Sequence, residues 1–548
     1  MHPQGTNSAT FTHAPLDGSL TFPQLLEHHL ARSPDHPAYV YDGAHGELVR
    51  VSFARYVRTV HAGCRRVLRD VPSQSGKKPV VGIFAVAETI SYCMFVAAIL
   101  RAGMVPFCIS PRSAVEGLAN MLQQTGAAAV YVSPDSRLQG AIADALALSG
   151  TQLPVLEMPT FDALQGEVDA AAPVPVLEKA SLDSTALILH SSGSTSVFSK
   201  PIYLSHKMLL QYAAIPWSGS EDHCGHIFGA HNLPNFHGLG IFIGTWPFSS
   251  GCVMAVLRPT TPPMLFTPEN ALKGILATKP QVVISTPATI EVWSEDPVAL
   301  QAMQGLKYLC YIGAPLNKRL GDALVANGVA LCSAYGAMEI GLVTPFPQLH
   351  GKDWEYFTVR ADCNAVRIPE NEGSGMYTHA YLVGPNWATC YTNTEIDGKP
   401  GCVVSDLLEQ HPTKPELHRI YGRKDDLIAL STGFKMNPGP VEAHINRNPF
   451  VDAALIFGHA RNHPGVIIQV KPEFQGDLKD GEKRANILDA VWASVDEANS
   501  ASPTHCQIPR AMIVLADPRR PFAVTSKLQP RRRVVFEEHK EEIDVAYH

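Results

Sequence analysis

Residues 185–200 read TALILHSSGSTSVFSK, an apolar run that passes directly into a loop of hydroxyl side chains and a glycine. The apolar part, Thr185 to Leu189, has the length and composition of a buried strand. The loop that follows carries N–H and O–H groups that can wrap phosphate oxygens, with the charge of Lys200 at its far end. A solvated serine-rich turn is the alternative. The GxxxxGK(S/T) spacing of a Walker A loop is absent.

Short apolar runs of this kind recur along the chain and alternate with helix-like segments. We predict helices over 56–68 and 88–102. The predicted strands are 80–85, 105–109, 127–132, 186–190, 227–230, 253–257, 282–285, 308–312 and 329–333. Strands that alternate with helices favour an α/β fold built on parallel sheets.

The composition changes near residue 410 and divides the chain. Residues 406–422 contain a connector rich in proline and histidine, HPTKP at 411–415. A new block then begins, for which the predicted strands are 453–458, 466–470 and 511–516 and the predicted helix is 480–499. We predict a disordered N-terminus over 1–20, a large domain over 21–424 and a small domain over 425–548.

Charge and cysteine content exclude several classes of protein. The formal net charge is −7, whereas proteins that bind nucleic acid usually carry a basic face. We therefore expect no nucleic-acid partner. The eleven cysteines include no CxxC pair, so we expect no disulfide partner and no structural zinc, and a reducing, cytoplasmic compartment. The most apolar stretch, 80–107, is interrupted by Glu88 and Arg101, so no membrane span is predicted.

Four further segments carry chemistry, and two of them follow predicted strands. Tyr335 can stack on a base, Glu339 can supply an oxygen ligand for Mg²⁺, and Asp406 can accept from ribose hydroxyls. The segments are YIGAPL at 311–316, SAYGAME at 333–339, VSDL at 404–407 with GRKDDLI at 422–428, and PFAVTSK at 521–527.

In this order the segments resemble the adenylate-forming superfamily of acyl-CoA synthetases, luciferases and adenylation domains of nonribosomal peptide synthetases. The likeness is greatest to fungal, especially basidiomycete, synthetase-like carboxylic acid reductases, which join adenylation, carrier and reductase domains. The resemblance implies a large N-terminal domain of stacked mixed sheets with helices, as in acyl-CoA synthetases. It also implies a small, mobile α+β C-terminal domain.

The resemblance also assigns roles to residues. Glu339 would bind Mg²⁺, Lys527 would bridge the substrate carboxylate and the α-phosphate, and Asp425 would be the hinge of the C-terminal domain. A surface lysine beside the arginines at 531–533 is the alternative for Lys527. The residues that would contact ATP or AMP are Ser191, Ser192, Gly193, Ser194, Thr195, Lys200, Gly313, Ala314, Pro315, Ala334, Tyr335, Gly336, Met338, Asp406 and Arg423.

The segment LPNFHGLG at 233–240 is similar to the superfamily's substrate-pocket motif. Amino-acid-activating relatives place an aspartate where this chain has His237, so an α-amino acid is not expected. Aryl-acid and acyl-activating members carry histidine there, beside the acid's carboxylate, which adds His237 to Lys527 and Glu339 as a catalytic candidate. A satisfied core histidine is the alternative. The predicted pocket residues are Phe236, His237, Gly238, Ile241, Ser285, Gly313 and Met338.

Several positions depart from the superfamily's pattern. Ser196 and Ser199 stand where glycine and proline are common in the phosphate loop, and Ser405 replaces a glycine. Met338 replaces a threonine, and a thioether is a weaker acceptor than a hydroxyl. These changes motivate one alternative, a nucleotide-binding protein without catalysis.

The predicted function is activation of a carboxylic acid, with an aromatic one favoured, to an acyl-adenylate at the expense of ATP. Pyrophosphate would leave, and the acyl group would pass to the phosphopantetheine thiol of a carrier domain. NADPH would enter only through a reductase domain outside this chain, because no carrier or dinucleotide-binding motif follows Lys527. A stand-alone acid–CoA ligase is the second alternative.

Overall fold

The fold is described from a computed structural model of the 548-residue chain. Most of the chain contributes to the description. The described residues are 2–72, 77–190, 199–370, 375–432, 435–500, 502–525 and 529–548.

Helices lie mainly in the first three-fifths of the chain and return near its end. In chain order they are α1 Phe22–Arg32, α2 Phe53–Asp70, α3 Thr89–Arg101, α4 Val115–Thr125, α5 Ser136–Ser149, α6 Phe161–Gly166, α7 His206–Ala213, α8 Gly238–Ser250, α9 Pro268–Thr278, α10 Pro287–Ser294, α11 Pro297–Gln304, α12 Lys318–Ala326, α13 Gly439–Ile445, α14 Gly481–Ser500, α15 Arg532–Glu538 and α16 Lys540–Val545.

Strands occur throughout. In chain order they are β1 Pro37–Asp42, β2 Leu48–Ser52, β3 Val80–Phe84, β4 Val105–Ile109, β5 Ala129–Val132, β6 Val155–Glu157, β7 Thr185–His190, β8 Pro201–Ser205, β9 Ile227–Gly229, β10 Val253–Ala255, β11 Val282–Ser285, β12 Tyr308–Ile312, β13 Leu331–Ala334, β14 Gly336–Ala337, β15 Gly341–Leu342, β16 Ala365–Pro369, β17 Met376–Leu382, β18 Thr394–Ile396, β19 Lys399–Val403, β20 Asp406–Gln410, β21 His418–Arg423, β22 Ile428–Ala429, β23 Lys435–Met436, β24 Val451–Phe457, β25 Gly465–Val470 and β26 Ile513–Leu515.

Two mainly parallel sheets form the body of the molecule. One has the order β13-β12-β11-β9-β10-β1-β2 and the other β6-β5-β3-β4-β7-β8. Within them the only antiparallel pairs among the described strands are the edge pairs β1–β2 and β7–β8. The predicted α/β fold is confirmed, and strands β4, β11 and β12 match their predicted bounds residue for residue.

Helices α3 and α8 lie where the two sheets face each other. Twelve of the thirteen residues in each helix are buried, and the two helices contact each other. A helix that is apolar on all sides requires protein on all sides. We therefore describe α3 and α8 as a middle layer, which matters below because both begin beside the predicted site.

An antiparallel sheet follows the parallel ones, in the order β18-β19-β17-β20-β21 with β16 on β17. The sequence predicted a connector over 406–422, and this was wrong. Residues of that segment form the hairpin β20–β21, with Asp406 opposite Arg423 in the register. The prolines and histidine of the HPTKP stretch form its turn, where such residues are as common as in a linker.

The last 120 residues carry a hydrophobic core of their own. Strands β24, β25 and β26 form a three-stranded sheet, and α14 contacts α13. The buried cluster here runs from Ile428 to Val535 and contains no residue from the body. A short 3₁₀ turn, Lys424–Asp426, precedes it.

The N-terminal segment differs from the predicted disorder over 1–20. Gln4 is fully buried, donates through Nε2 to the carbonyl of Glu221 at 2.8 Å and accepts from the amide of His223 at 2.7 Å. Phe11 is 3% exposed and joins the core. A composition rich in Gly, Ser and Thr does not reveal two such anchors, because they depend on tertiary contacts: Gln4 bonds residues more than two hundred positions away, and the ring of Phe11 packs near His29, His36 and Phe53.

Among the described residues, no helix combines the length and apolar character that crossing a bilayer requires.

Candidate active site

Several of the predicted site residues that the structure describes lie at one edge of the larger parallel sheet. Ser285 ends β11, Gly313 follows β12 and Tyr335 follows β13, and these three strands are parallel neighbours. The carboxyl ends of parallel strands share one edge, where ligands of open α/β sheets bind. The segment after β9, the next strand in the sheet, leads to His237 at the same edge.

Gly313 makes the turn that opens this edge. Its φ is +94°, a left-handed conformation that glycine adopts without the strain of a side chain. A Cβ built at this position would have no atom within 4 Å, so the turn borders open space. Ala314 and Pro315 continue the exposed loop, as a wall against a bound base would require.

Tyr335 and Asp406 form a hydrogen-bonded corner across two sheets. The hydroxyl of Tyr335 donates to Oδ2 of Asp406 at 3.0 Å. Burial raises the pKa of Asp406 above its usual value, and the opposing charge of Arg423 lowers it. The corner therefore offers a carboxylate, held by Tyr335 through one oxygen, that can accept from further hydroxyl groups.

Phe357 is part of this corner, although no sequence signal pointed to it. Its ring stacks on that of Tyr335 with centroids 5.0 Å apart and an interplanar angle of 27°. Tyr335 is only 4% exposed, so one face of the predicted stacking residue is already covered. At this exposure the rest of the ring is nearly covered as well, and Tyr335 belongs to a buried cluster.

Met338 and Glu339 lie on the tight turn between β14 and β15. Cys390, which the sequence analysis missed, fixes this turn: its amide donates to the carbonyl of Glu339 at 2.8 Å and its thiol to that of Met338 at 3.2 Å. Isolated cysteines carry no local pattern that would have predicted these bonds.

Among the described residues, Cys402 and Tyr391 lie close enough to Glu339 to feel its charge. Burial, and after it the negative charge of Glu339, raise the pKa of Cys402 to about 11 and that of Tyr391 to about 12. Within the described ranges no group of three or more His, Cys, Asp or Glu could hold a metal. Mg²⁺ in nucleotide sites needs only one or two carboxylates, because phosphates and waters complete its shell. Glu339 therefore fits a nucleotide-bound Mg²⁺ and no all-protein cage.

The predicted acid pocket is partly assembled in the structure. A Cβ at Gly238 would lie 3.5 Å from Cγ of Met338, so these two predicted pocket residues are neighbours. Ser285 is buried, and its hydroxyl accepts from Nδ2 of Asn232 at 3.0 Å. Asn232 was not predicted, although it lies in the same segment as His237. It holds the pocket wall in place.

The phosphate-loop prediction falls mainly outside the described residues, which omit 191–198 and so Ser191, Ser192, Gly193, Ser194, Thr195 and Ser196. The described flanks are firmly held. His190 ends β7, accepts through Nε2 from the amide of Ser110 at 3.0 Å and pairs with Pro201 of β8. Lys200, the last residue of the predicted loop, is exposed beside this pair.

Lys527 also lies outside the described residues, but the chain on either side of it is paired. The amide of Thr525 donates to the carbonyl of Gln529 at 2.7 Å, and Val524 forms a bridge with Pro530. Shortly after, a two-pronged ion pair fixes the segment to the small core.

We call this ion pair the Arg532–Glu442 clamp. Arg532 donates to the two carboxylate oxygens of Glu442 at 2.8 and 2.7 Å and to the carbonyl of Ile456 at 2.9 Å. Two parallel bonds of this kind fix orientation as well as distance. Arg532, at the start of α15, is therefore attached to both α13 and β24.

Asp425, the predicted hinge, lies in the 3₁₀ turn between the body and the last core. Its side chain is 41% exposed and lies 3.4 Å from Arg423. The amide of Lys424 donates to the carbonyl of Ser405 at 2.7 Å, which ties the start of the turn to the body.

Comparison with known proteins gives two family matches. Residues 26–373 match the AMP-binding enzyme family, and residues 425–548 match the AMP-binding enzyme C-terminal domain.

Relatives with related descriptions match most of the chain or nearly all of it. The adenylate-forming reductase Nps10 of Heterobasidion annosum is 34% identical over 565 residues, which cover 99% of this chain and 51% of that protein. A carboxylic acid reductase of Neurospora crassa is 27% identical over 489 residues, 84% of this chain and 44% of that one. The chain thus spans about half the length of the curated relatives it matches.

Solved structures show the same fold. The didomain of the carboxylic acid reductase from Segniliparus rugosus, in complex with AMP, superimposes with a TM-score of 0.71 at 15% identity, over 96% of this chain and 82% of that one. ATP-bound MatB from Rhodopseudomonas palustris gives 0.69 at 18% identity, over 96% and 100%. With its motifs at one sheet edge and the family match over most of its body, this chain belongs to the AMP-binding, adenylate-forming enzymes.

Proposed function

We propose that the chain activates a carboxylic acid with ATP and Mg²⁺, releasing pyrophosphate and retaining an acyl-adenylate. The acyl group then passes to the phosphopantetheine thiol of a carrier domain, so that the chain serves as the adenylation unit of a carboxylic acid reductase. NADPH would take part only through a reductase domain outside this chain. A reducing, cytoplasmic location completes the proposal, because the chain carries eleven cysteines and no CxxC pair.

The observation that carries this proposal is the corner formed by Tyr335 and Asp406 beside the open turn at Gly313. An adenine would occupy the space at Gly313, beside Tyr335. The ribose hydroxyls would donate to Asp406, with Arg423 keeping that carboxylate ionised. The corner thus offers a base wall and a sugar acceptor within one hydrogen-bonded unit.

The phosphates would extend from this corner toward the loop between β7 and β8. Glu339 would hold Mg²⁺ on them, and Lys200 with the loop hydroxyls would add donors. A substrate carboxylate that approaches the α-phosphorus meets another anion, so a cation is needed at the point of closest approach. Lys527 is the residue proposed for that place.

The acid would lie between His237 and the turn at Met338. Support comes from the contact of Gly238 with Met338, which places the start of α8 beside the turn that carries Glu339. His237, in place of an aspartate, removes the group that an ammonium would need. An acid without an α-amino group, with an aromatic one favoured, fits this pocket.

ATP–pyrophosphate exchange tests the proposal directly. The panel contains benzoic, cinnamic, 2-oxo and aliphatic acids, and we expect exchange above background for at least one class. Background exchange for every acid would leave a nucleotide-binding protein without catalysis. For active acids, incubation with a phosphopantetheinylated carrier or with coenzyme A identifies the acceptor, and a coenzyme A thioester as the sole product would contradict the carrier role.

A further inference from the structure

An interior cavity of about 40 Å³ lies between α3 and α8. One water fills about 10–15 Å³ on this scale, so the cavity has room for about three or four atoms of methylene size. His237 and Ile241, both predicted pocket residues, form part of its wall. The rest of the wall comes mainly from apolar side chains of α1, α3 and α7 and of strands β4 and β7.

The cavity runs inward from the site edge. Helix α3 connects the parallel strands β3 and β4, and α8 connects the parallel strands β9 and β10. Such crossover helices run antiparallel to their strands, so both begin at a carboxyl edge. Wall residues extend from Tyr92 to Leu100 on α3 and from His237 to Thr245 on the α8 side, a depth of about 12 Å at 1.5 Å per residue.

Polarity falls with depth along this cavity. At the starting ends of the helices, the hydroxyl of Tyr92 and Oδ1 of Asn235 are buried without a hydrogen-bond partner in the described part of the chain. At the far end Thr245 uses its hydroxyl on its own helix, at 2.7 Å from the carbonyl of Ile241. An occupant with a polar end at the mouth and an apolar end inside would match this gradient, because unpaired buried polar atoms are costly.

Gly244 keeps the inner part of the cavity open. A methyl group here would lie 3.9 Å from Sγ of Cys93, which is ordinary contact, and a longer side chain would enter the cavity. Glycine is a poor helix former, so its presence inside α8 is better explained by space than by helix stability. Gly240 is different, because a Cβ there would lie 2.1 Å from the carbonyl oxygen of Asn235.

We propose that this cavity binds an apolar tail of the activated acid, three or four carbons long, which enters the cavity past His237. The inference rests on the proposed function and adds the class of acid: one that carries a slender apolar extension. Each methylene moved from water into an apolar wall favours binding about fourfold. Acids without such a tail end at the mouth of the cavity and gain no affinity from its apolar wall.

A homologous series of 4-alkylbenzoic acids, from benzoic to 4-butylbenzoic acid, measures how tail length alone changes kcat/KM. With the wild-type chain we expect kcat/KM in pyrophosphate exchange to rise about fourfold per methylene until the cavity is full. The Gly244→Leu variant fills the cavity, so its ratio of 4-butylbenzoic to benzoic acid falls to one or below. The Gly140→Leu variant changes a glycine of the exposed face of α5, where no atom lies within 4 Å of a Cβ, and keeps the wild-type ratio.

Three further results separate the possible failures. A flat series in the wild type, or a Gly244→Leu variant with the wild-type ratio, would overturn the tail site. If Gly244→Leu fails to fold by circular dichroism, Val96→Phe narrows the cavity from the α3 side and must give the same loss. If no acid supports exchange, the proposed function fails, and calorimetry of the same acids without nucleotide still tests the cavity: Kd must fall with tail length in the wild type and not in the variant.

Discussion

The corner at Tyr335 and Asp406 and the turn at Asp425 are neighbours in the fold, yet they are held in opposite ways. The corner is a buried hydrogen bond backed by a stacked ring. Beyond the turn, an ion pair between the body and the last core joins Arg319 to Glu497 at 3.0 Å, with side chains 66% and 57% exposed. Such exposed pairs contribute about 0–1 kcal/mol. We therefore predict that the corner keeps its geometry while the C-terminal part changes its orientation.

Lys527→Ala has the largest expected effect, and it tests whether the C-terminal part contributes a catalytic group. If the C-terminal part brings a cation to the corner, its loss lowers the rate of adenylation by about two to three orders of magnitude, because a group aimed at developing charge is removed. The free energy of unfolding should change little. ATP–pyrophosphate exchange and urea unfolding measure the two effects.

The control for this variant is Lys540→Ala, an exposed lysine on α16. We expect wild-type exchange from it. Near wild-type exchange by Lys527→Ala would remove Lys527 from the site and leave the C-terminal part without a catalytic contribution.

Asp406→Asn tests the other region of the comparison, the corner formed by Tyr335 and Asp406. A charge-assisted bond contributes about 1.5–3 kcal/mol, so the Kd of ATP should rise about 10- to 100-fold. In the wild type, ATP binding is present above the raised pKa of Asp406 and is lost as the pH falls through it. The variant should lack this acidic loss. Fluorescence titration between pH 4 and 8 measures both.

Stability provides the control for Asp406→Asn. Because the folded chain binds the Asp406 proton more tightly than the unfolded chain does, ionisation of this group costs stability above its usual pKa. Asparagine removes that cost, so Tm at pH 7 should not fall. A large drop in Tm would mean that Asp406 is needed for folding stability. Weaker ATP binding by the variant would then not show that Asp406 contacts the ribose.

Asp425→Pro tests whether the turn must move. Asp425 lies in a 3₁₀ turn, where φ is about −50 to −70° and therefore compatible with proline, so proline should restrict rotation at this residue. We expect transfer to the thiol to slow about tenfold and adenylation to stay within about threefold. Single-turnover assays of each half-reaction measure this.

Asp425→Ala is the matched variant, since it removes the same carboxylate without fixing φ. It should retain both half-reactions. An equal loss in both half-reactions for the proline variant, or the same selective loss for the alanine variant, would count against a hinge at this position.

Arg319→Ala should have the smallest effect. Removing one partner of an exposed pair costs at most about 1 kcal/mol, and Tm should shift by no more than a few degrees. Arg532→Ala breaks a half-buried pair of the same residue types and should cost about 3 kcal/mol. Similar losses in thermal unfolding of the two variants would contradict the view that the contact between body and C-terminal part is weak.

The sequence predicted the parallel sheets well because their strands are buried on both faces. Uninterrupted runs such as Val105–Ile109 and Tyr308–Ile312 stand out from the surrounding polar residues. The antiparallel sheet was missed because β18, β20 and β21 are only partly buried and carry charged side chains. In such strands, composition resembles that of loops.

The sequence predicted individual residues of the candidate site but not the contacts between them. Motif order indicated Tyr335 and Asp406, yet their hydrogen bond joins residues 71 positions apart. Phe357 and Cys390 have no motif, and they became part of the site only through the fold. Local patterns predict elements, whereas contacts between distant segments depend on the packing of the whole chain.

The Arg532–Glu442 clamp has a mechanical consequence. Rotation about a hinge moves a distant segment through the same angle only when the structure between the hinge and that segment is rigid. Because the clamp ties the chain after Lys527 to β24, any rotation at the turn carries that segment through the same angle, without lag. A dye attached at the exposed Arg533 would therefore serve as a pointer for the orientation of the entire C-terminal part.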